Sequence, residues 1–168
     1  MHPRLAAKVA KCKPFEFTWC DHAVWVDGSA RLKHNGVAQW VLAHLTLSQS
    51  VAQFVHPERD DFYAEMEVSD GMRKYAETPV RAQAEEYRRQ GFGAHFGLWA
   101  TGIMGRRIET GQWLGFGDAW LREQVRWSYQ DQVSEPYVLW SRGLKPAELP
   151  GSLWNNEHVA FGGHVSDA

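Results

Sequence analysis

The sequence predicts an α/β domain built on a mixed sheet flanked by helices. Two observations predict it. Short runs of β-forming residues, at 23–26, 51–55 and 98–104, alternate with longer stretches whose apolar residues recur at helical spacing. Gly, Pro, Asp and Asn cluster at the junctions between these runs, where turns are needed. The chain has 168 residues and contains no internal repeat, low-complexity tract or linker-like stretch, so residues 1–168 are read as one domain.

In chain order, residues 4–11 place Leu5, Ala6, Val9 and Ala10 on one side and Lys8 and Lys11 elsewhere, which is a short amphipathic helix stopped by Pro14. Residues 23–26 form a buried strand closed by the turn-prone Asp27-Gly28-Ser29. Val37, Trp40, Val41, His44 and Leu45 give a helix over 37–47, and residues 51–55 a second buried strand ending at His56-Pro57. A helix follows over 60–68. Thr78-Pro79 supplies a cap and a first-turn proline for a polar helix that stops at Gly91. Residues 98–104 are the third strand, 113–127 and 131–140 are helices, and Gly143 is a stop before a Gly/Pro/Asn-rich tail from Pro146.

Composition narrows the function. Apolar residues make up 44% and charged residues 23% of the chain, a globular balance. A formal net charge of −2 leaves no broad cationic field, so a nucleic acid polymer is not an expected partner. Cys12 and Cys20 fit neither a zinc ribbon nor a multi-bridge scaffold and are expected as free, buried thiols in a reducing compartment. The first fourteen residues, interrupted by Pro3, Arg4, Lys8, Lys11 and Lys13, hold no signal-peptide core and no transmembrane segment, and the expected location is cytoplasmic. Nine tryptophans are an unusual load; most are expected in the core, with a minority available to pack against the apolar face of a sugar.

In α/β sheets chemistry gathers beyond the C-terminal ends of strands. Three polar loops are expected there: Asp27-Gly28-Ser29, residues 56–60, and Arg106-Arg107. An acid at a strand end followed by glycine can hold a divalent cation beside a diphosphate; the same Asp can instead open a β-turn and accept its amides. In the second loop His56 and Arg59 suit phosphate or sugar hydroxyls, while Asp60 or Asp61 can cap the following helix. Asp131 is either an N-terminal cap or a carboxylate aimed into a cleft. The eight histidines show no metalloprotease-like spacing, which argues against a hydrolytic metalloenzyme, although His158 or His164 could add a ligand from a distant loop.

Taken together, several segments resemble one family in order. They are residues 8–14, Val24-Trp25-Val26-Asp27-Gly28-Ser29, His56-Pro57-Glu58-Arg59-Asp60 with Tyr63-Ala64-Glu65, residues 83–91, residues 100–107, and Asp131-Gln132-Val133-Ser134 with residues 136–140. The family is the glycosyltransferase-like domain, formerly of unknown function, of bacterial and phage polysaccharide proteins and of plant proteins linked to mucilage and turgor. The resemblance implies a GT-A-like nucleotide-diphosphosugar transferase fold, a nucleotide-sugar donor, a glycan or polysaccharide acceptor, and a divalent metal (Mn or Mg). On it, Asp27 is the metal ligand, Asp27, Gly28, His56, Arg59 and Thr101 bind the donor, and Asp131 and Gln132 act at the donor sugar as the catalytic pair. Two departures accompany the likeness. The motif carries one acid rather than two, and the strand expected ahead of residues 8–14 does not precede them. A catalytically inactive remnant or carbohydrate-binding module is therefore the alternative to an active transferase.

Overall fold

The computed structural model describes residues 3–161. Its central sheet has four strands, β1 (His22–Val26), β3 (Val51–Val55), β4 (Trp99–Arg107) and β5 (Ala147–Glu148), in the order β1-β4-β3-β5. A separate two-stranded ribbon joins β2 (Ala30–Leu32) to β6 (Val159–Phe161). The helices are α1 (Pro3–Cys12), α2 (Val37–Ala43), α3 (Phe62–Asp70), α4 (Val80–Arg89), α5 (Phe116–Arg126) and α6 (Asp131–Ser141). The sheet is mixed: β4 runs antiparallel to both β1 and β3, while β5 is parallel to β3.

Alternation along the strands explains the layering. Val51 and Met104 face one side, where Cys12, Phe116, Trp120, Val138 and Leu139 from α1, α5 and α6, with Trp113 from the turn before α5, bury them. Ala52, Phe54, Ala100 and Ile103 face the other, against Val37 and Val41 of α2 and Leu149, Leu153 and Val159 of the tail. A third cluster, with Phe62, Met66, Val80, Ala84, Tyr87 and Phe92, joins α3 to α4. The sheet is thus covered on both faces, as the alternating sequence pattern requires.

Because β1 and β3 both run against β4, their C-terminal ends lie side by side next to the beginning of β4. This corrects one expectation. Arg106-Arg107 sit at the end of an antiparallel strand, opposite Ala23 and His22, and so lie at the far end of the sheet from Asp27 and His56. Near the shared end the β3–β4 register breaks: Gln53 faces Met104 but Phe54 faces Ala100, so that Thr101, Gly102 and Ile103 bulge out of that ladder.

Other differences are local. The helix expected over 37–47 ends at Ala43, and β2, β5 and β6, each three residues or fewer, escaped the pattern reading. Thr78 does not cap α4; its hydroxyl donates to the Tyr75 carbonyl, and Pro79 occupies the cap position. Lys11 lies on the side of α1 expected to face solvent, yet it is buried. The C-terminal carbonyls of that helix are held by a second buried cation: Arg106 donates from Nη1 to Lys11 O at 3.0 Å and from Nη2 to Cys12 O at 3.2 Å, and its Nη2 also meets Glu109 at 2.8 Å.

The end of α1 presses against α5 at Gly117, where a Cβ would come within 2.1 Å of the Cys12 carbonyl oxygen. Backbone cannot yield as a side chain can, so overpacking, typically about 1–3 kcal/mol, outweighs the gain of roughly 1 kcal/mol that alanine brings inside a helix. Gly117→Ala is therefore expected to lower the urea midpoint. An unchanged midpoint would show that α1 does not end against α5.

Candidate functional site

The end of the sheet shared by β1, β3 and the start of β4 opens into a cavity of about 220 Å³. Asp27 and Ser29 come from the turn after β1, His56, Pro57 and Arg59 from the loop after β3, and Thr101 and Gly102 from the bulge of β4. Glu65 of α3, Lys74, and Gln130 and Gln132 at the start of α6 close one side; Leu153, Trp154 and Phe161 close the other. Of the residues expected at the site, Asp27, His56, Arg59, Thr101 and Gln132 meet here, drawn from four separate stretches of chain.

Gly28 and Asp131 do not line the cavity. Gly28 is exposed, its φ is not in the left-handed region, and a Cβ there would meet nothing within 4 Å, so the turn does not require glycine. The glycine that the site does require is Gly102. A Cβ at that position would lie 2.9 Å from the Phe161 ring and 3.5 Å from Asp27 Oδ2, so the close approach of the aromatic wall to the acid depends on its absence.

Asp27 opens a β-turn through its carbonyl, which accepts from Ala30 N at 2.9 Å, while its own amide donates to Gly102 O. Its side chain does not bind the turn amides. Oδ1 accepts from the Trp25 indole at 2.6 Å and lies 3.5 Å from the Lys11 ammonium. Oδ2 accepts no hydrogen bond from the described residues, and the side chain is 37% exposed. One carboxylate oxygen is thus fixed and the other left toward the cavity.

Lys11, with a fully buried side chain, also pairs with Asp131, which Lys8 reaches from the next turn of α1 at 2.7 Å. Burial works against the Lys11 ammonium, but Asp131 and Asp27 outweigh it and raise its pKa. Burial likewise works against the Asp131 carboxylate, and Lys11 and Lys8 overcome it, holding it well below the usual carboxylate range. Asp131 is therefore an ionised anchor behind the wall, at the first position of α6 with Gln130 as the cap residue; its neighbours Gln130 and Gln132 face the cavity in its place.

On the opposite wall Arg59 Nε donates to Glu65 Oε2 at 2.7 Å, and Gln130 donates to Glu65 Oε1 at 3.1 Å, so both carboxylate oxygens are engaged. Burial raises the Glu65 pKa and Arg59 opposes it. His56 Nδ1 accepts from the amides of Glu58 and Arg59, which leaves its proton on Nε2. Burial, then the Arg59 charge, lowers its pKa to about 4, so the ring is neutral near pH 7. Asp61 caps α3 through Tyr63 N and Ala64 N, while exposed Asp60 approaches His95.

His158 stacks on Trp40 with ring centroids 3.7 Å apart and meets His34 at 3.0 Å, which gives it a packing role; His164 lies outside the described residues. Cys12 is buried, its thiol pushed up to about 12 by burial, and Cys20 is exposed; both are free. Of the tryptophans only Trp19 and Trp154 are exposed, and Trp154, edge-to-face with Phe161, is the one that lines the cavity.

Sequence reasoning missed Lys11, Glu65, Lys74, Gly102 and Gln130. Lys8 and Lys11, three residues apart on one face of α1, carried the signal for a shared carboxylate partner, but its position 120 residues away is visible only in the fold.

Behind the site Glu135, one turn after Asp131, is buried beside Gln53, which donates to its Oε2 at 3.0 Å. Burial pushes the Glu135 pKa up to about 8. The native chain then keeps a proton that the unfolded chain loses above about pH 4.5, so the contribution of Glu135 to stability is greatest below that pH and falls by up to about 1.4 kcal/mol per pH unit until about pH 8. Glu135→Gln is expected to flatten this slope and to raise stability at pH 8 in denaturant titrations at several pH values; a slope equal to that of the parent would rule it out. Lys11→Met strips a buried carboxylate of its closest partner and is expected to cost about 3 kcal/mol, since Lys8 still reaches Asp131. A loss below about 1 kcal/mol in the same titration would show that Lys11 is not structurally required.

No helix among the described residues is long and apolar enough to cross a membrane. No family model, curated protein or solved structure matches this chain.

Proposed function

We propose that the chain is a glycosyltransferase-like protein that transfers a sugar from a nucleotide-sugar donor to a glycan acceptor. One observation carries the reading: five residues singled out on the family resemblance, widely separated in sequence, line one cavity at the mouth of the sheet. The walls suit such a ligand. Leu153, Trp154 and Phe161 offer an apolar face for a sugar ring, while Thr101, Gln130 and Gln132 offer hydroxyl and amide partners for its oxygens.

Asp27 has one oxygen to give. Among the described residues no group of three or more His, Cys, Asp or Glu side chains is placed to hold a metal ion. If a hard cation such as Mg²⁺ or Mn²⁺ takes part, Asp27 Oδ2 is the oxygen of this chain that would hold it, with the remaining ligands left to the donor and water. Such a cation would neutralise the charge that develops on the departing diphosphate. The chain's own part is orientation. Lys11 and Trp25 fix the rotamer of Asp27, Arg59 fixes Glu65, and Gly102 leaves room for the ring wall to approach. Asp131, engaged by two lysines, holds the start of α6 and so sets where Gln132 points; Gln132 is the better placed of the two to meet a sugar hydroxyl.

The test is Asp27→Asn. The variant is expected to keep its fold, because its Oδ1 contacts are replaceable by an amide oxygen, and to lose metal-dependent binding of UDP-glucose or GDP-mannose together with any transfer. Undiminished turnover would refute the role given to Asp27. Glycan binding without any affinity for nucleotide sugars would favour a carbohydrate-binding module.

A further inference from the structure

Four basic side chains surround the cavity and its back wall, and three are already engaged. Arg59 is held by Glu65 at 2.7 Å and Glu58 at 3.0 Å, and Lys8 and Lys11 by Asp131. The fourth, Lys74, lines the cavity and makes no ion pair or side-chain hydrogen bond with any described residue; its ammonium lies 4.9 Å from the centre of the Tyr75 ring. Its backbone is not loose. The Lys74 carbonyl accepts from Arg4 Nη1 at 3.2 Å and from the Tyr129 hydroxyl, and the Tyr75 hydroxyl donates to Gln130 at 3.0 Å. An exposed cation at the rim of a polar cavity, its backbone held and the adjacent Glu65 carboxylate already engaged by Arg59 and Gln130, is an open site for negative charge. Across the cavity, among the described residues that line it, the only carboxylate oxygen without a partner belongs to Asp27.

We infer that Lys74 is the anion-binding residue of this cavity, receiving the phosphate groups of its ligand while Asp27 meets the hydroxyl groups or cation that the same ligand carries. The inference deepens the transferase reading, on which it rests for taking the phosphates to be a donor's diphosphate. The arrangement orients the ligand: phosphates toward Lys74 and the start of α6, the ring toward Trp154 and Phe161. Lys74 holds its ammonium as a point charge with three donors, which suits the several oxygens of a phosphate without demanding a single geometry. Burial and the neighbouring Arg4 lower its pKa, and the more distant charges of Asp131 and Glu65 oppose this only in part.

The experiment is calorimetric titration of the full chain with inorganic pyrophosphate, UDP and uridine, each with and without Mg²⁺. Pyrophosphate and UDP are expected to bind without Mg²⁺ and uridine far more weakly. Lys74→Met should weaken pyrophosphate by about tenfold or more, and Lys74→Arg should retain it within about threefold. Equal affinity of parent and Lys74→Met, or no pyrophosphate binding by the parent, overturns the inference. The two readings fail separately. Lys74-dependent pyrophosphate binding without recognition of any nucleotide sugar sustains the anion site and removes the transferase. Nucleotide-sugar binding indifferent to Lys74→Met does the reverse.

Discussion

A buried ammonium ties this molecule together. Lys11, at the end of α1 with its side chain fully buried, sits between the buried Asp131 at the beginning of α6 and the partly exposed Asp27 at the end of β1. Desolvating the three groups is unfavourable, and only their mutual proximity, with Lys8 and the Trp25 indole as additional donors, offsets it. Such an arrangement tolerates little displacement. It fixes α1 and α6 to the sheet and, in the same stroke, fixes one oxygen of Asp27 so that the other is left toward the cavity. Fold and site thus share an interaction rather than being layered one on the other.

The same economy recurs at Arg106. An α-helix that ends inside a protein leaves carbonyl oxygens without partners, and α1 ends against α5 with Gly117 pressed close to the Cys12 carbonyl. The guanidinium of Arg106, reaching from the central strand, answers two of those carbonyls and pairs with Glu109, which in turn accepts from the amides of Gly115 and Gly117 at the start of α5. The far end of the sheet, expected to contribute cationic groups to the site, instead spends one of them on holding two helices together.

Much of the framework was legible in the sequence because it depends on local pattern. The strands at 51–55 and 22–26 and the helices at 131–141 and 116–126 have apolar residues at the period of their secondary structure and breakers at their ends. The short ribbon of β2 and β6 was not legible, because three residues carry no period. Strand direction was not legible either, and that alone misplaced Arg106. At the site, the polar residues at strand ends were found because their position implies exposure to a cleft. Lys11 was placed in solvent because helical periodicity scores a lysine by its own polarity and cannot register a carboxylate two thirds of the chain away. Gly28 was credited with a freedom that belongs to Gly102, whose need for a bare α-carbon arises from a ring contributed by residue 161.

That last contact has a consequence for biogenesis. The aromatic side of the cavity comes from residues 153–161, and β6 closes on β2, near the opposite end of the chain. Asp27 and Phe161 therefore share this end of the sheet only after the whole stretch between them has been made, and closing so long a loop is entropically slow. A nascent chain that has not yet reached residue 161 carries the acid but lacks the ring beside it.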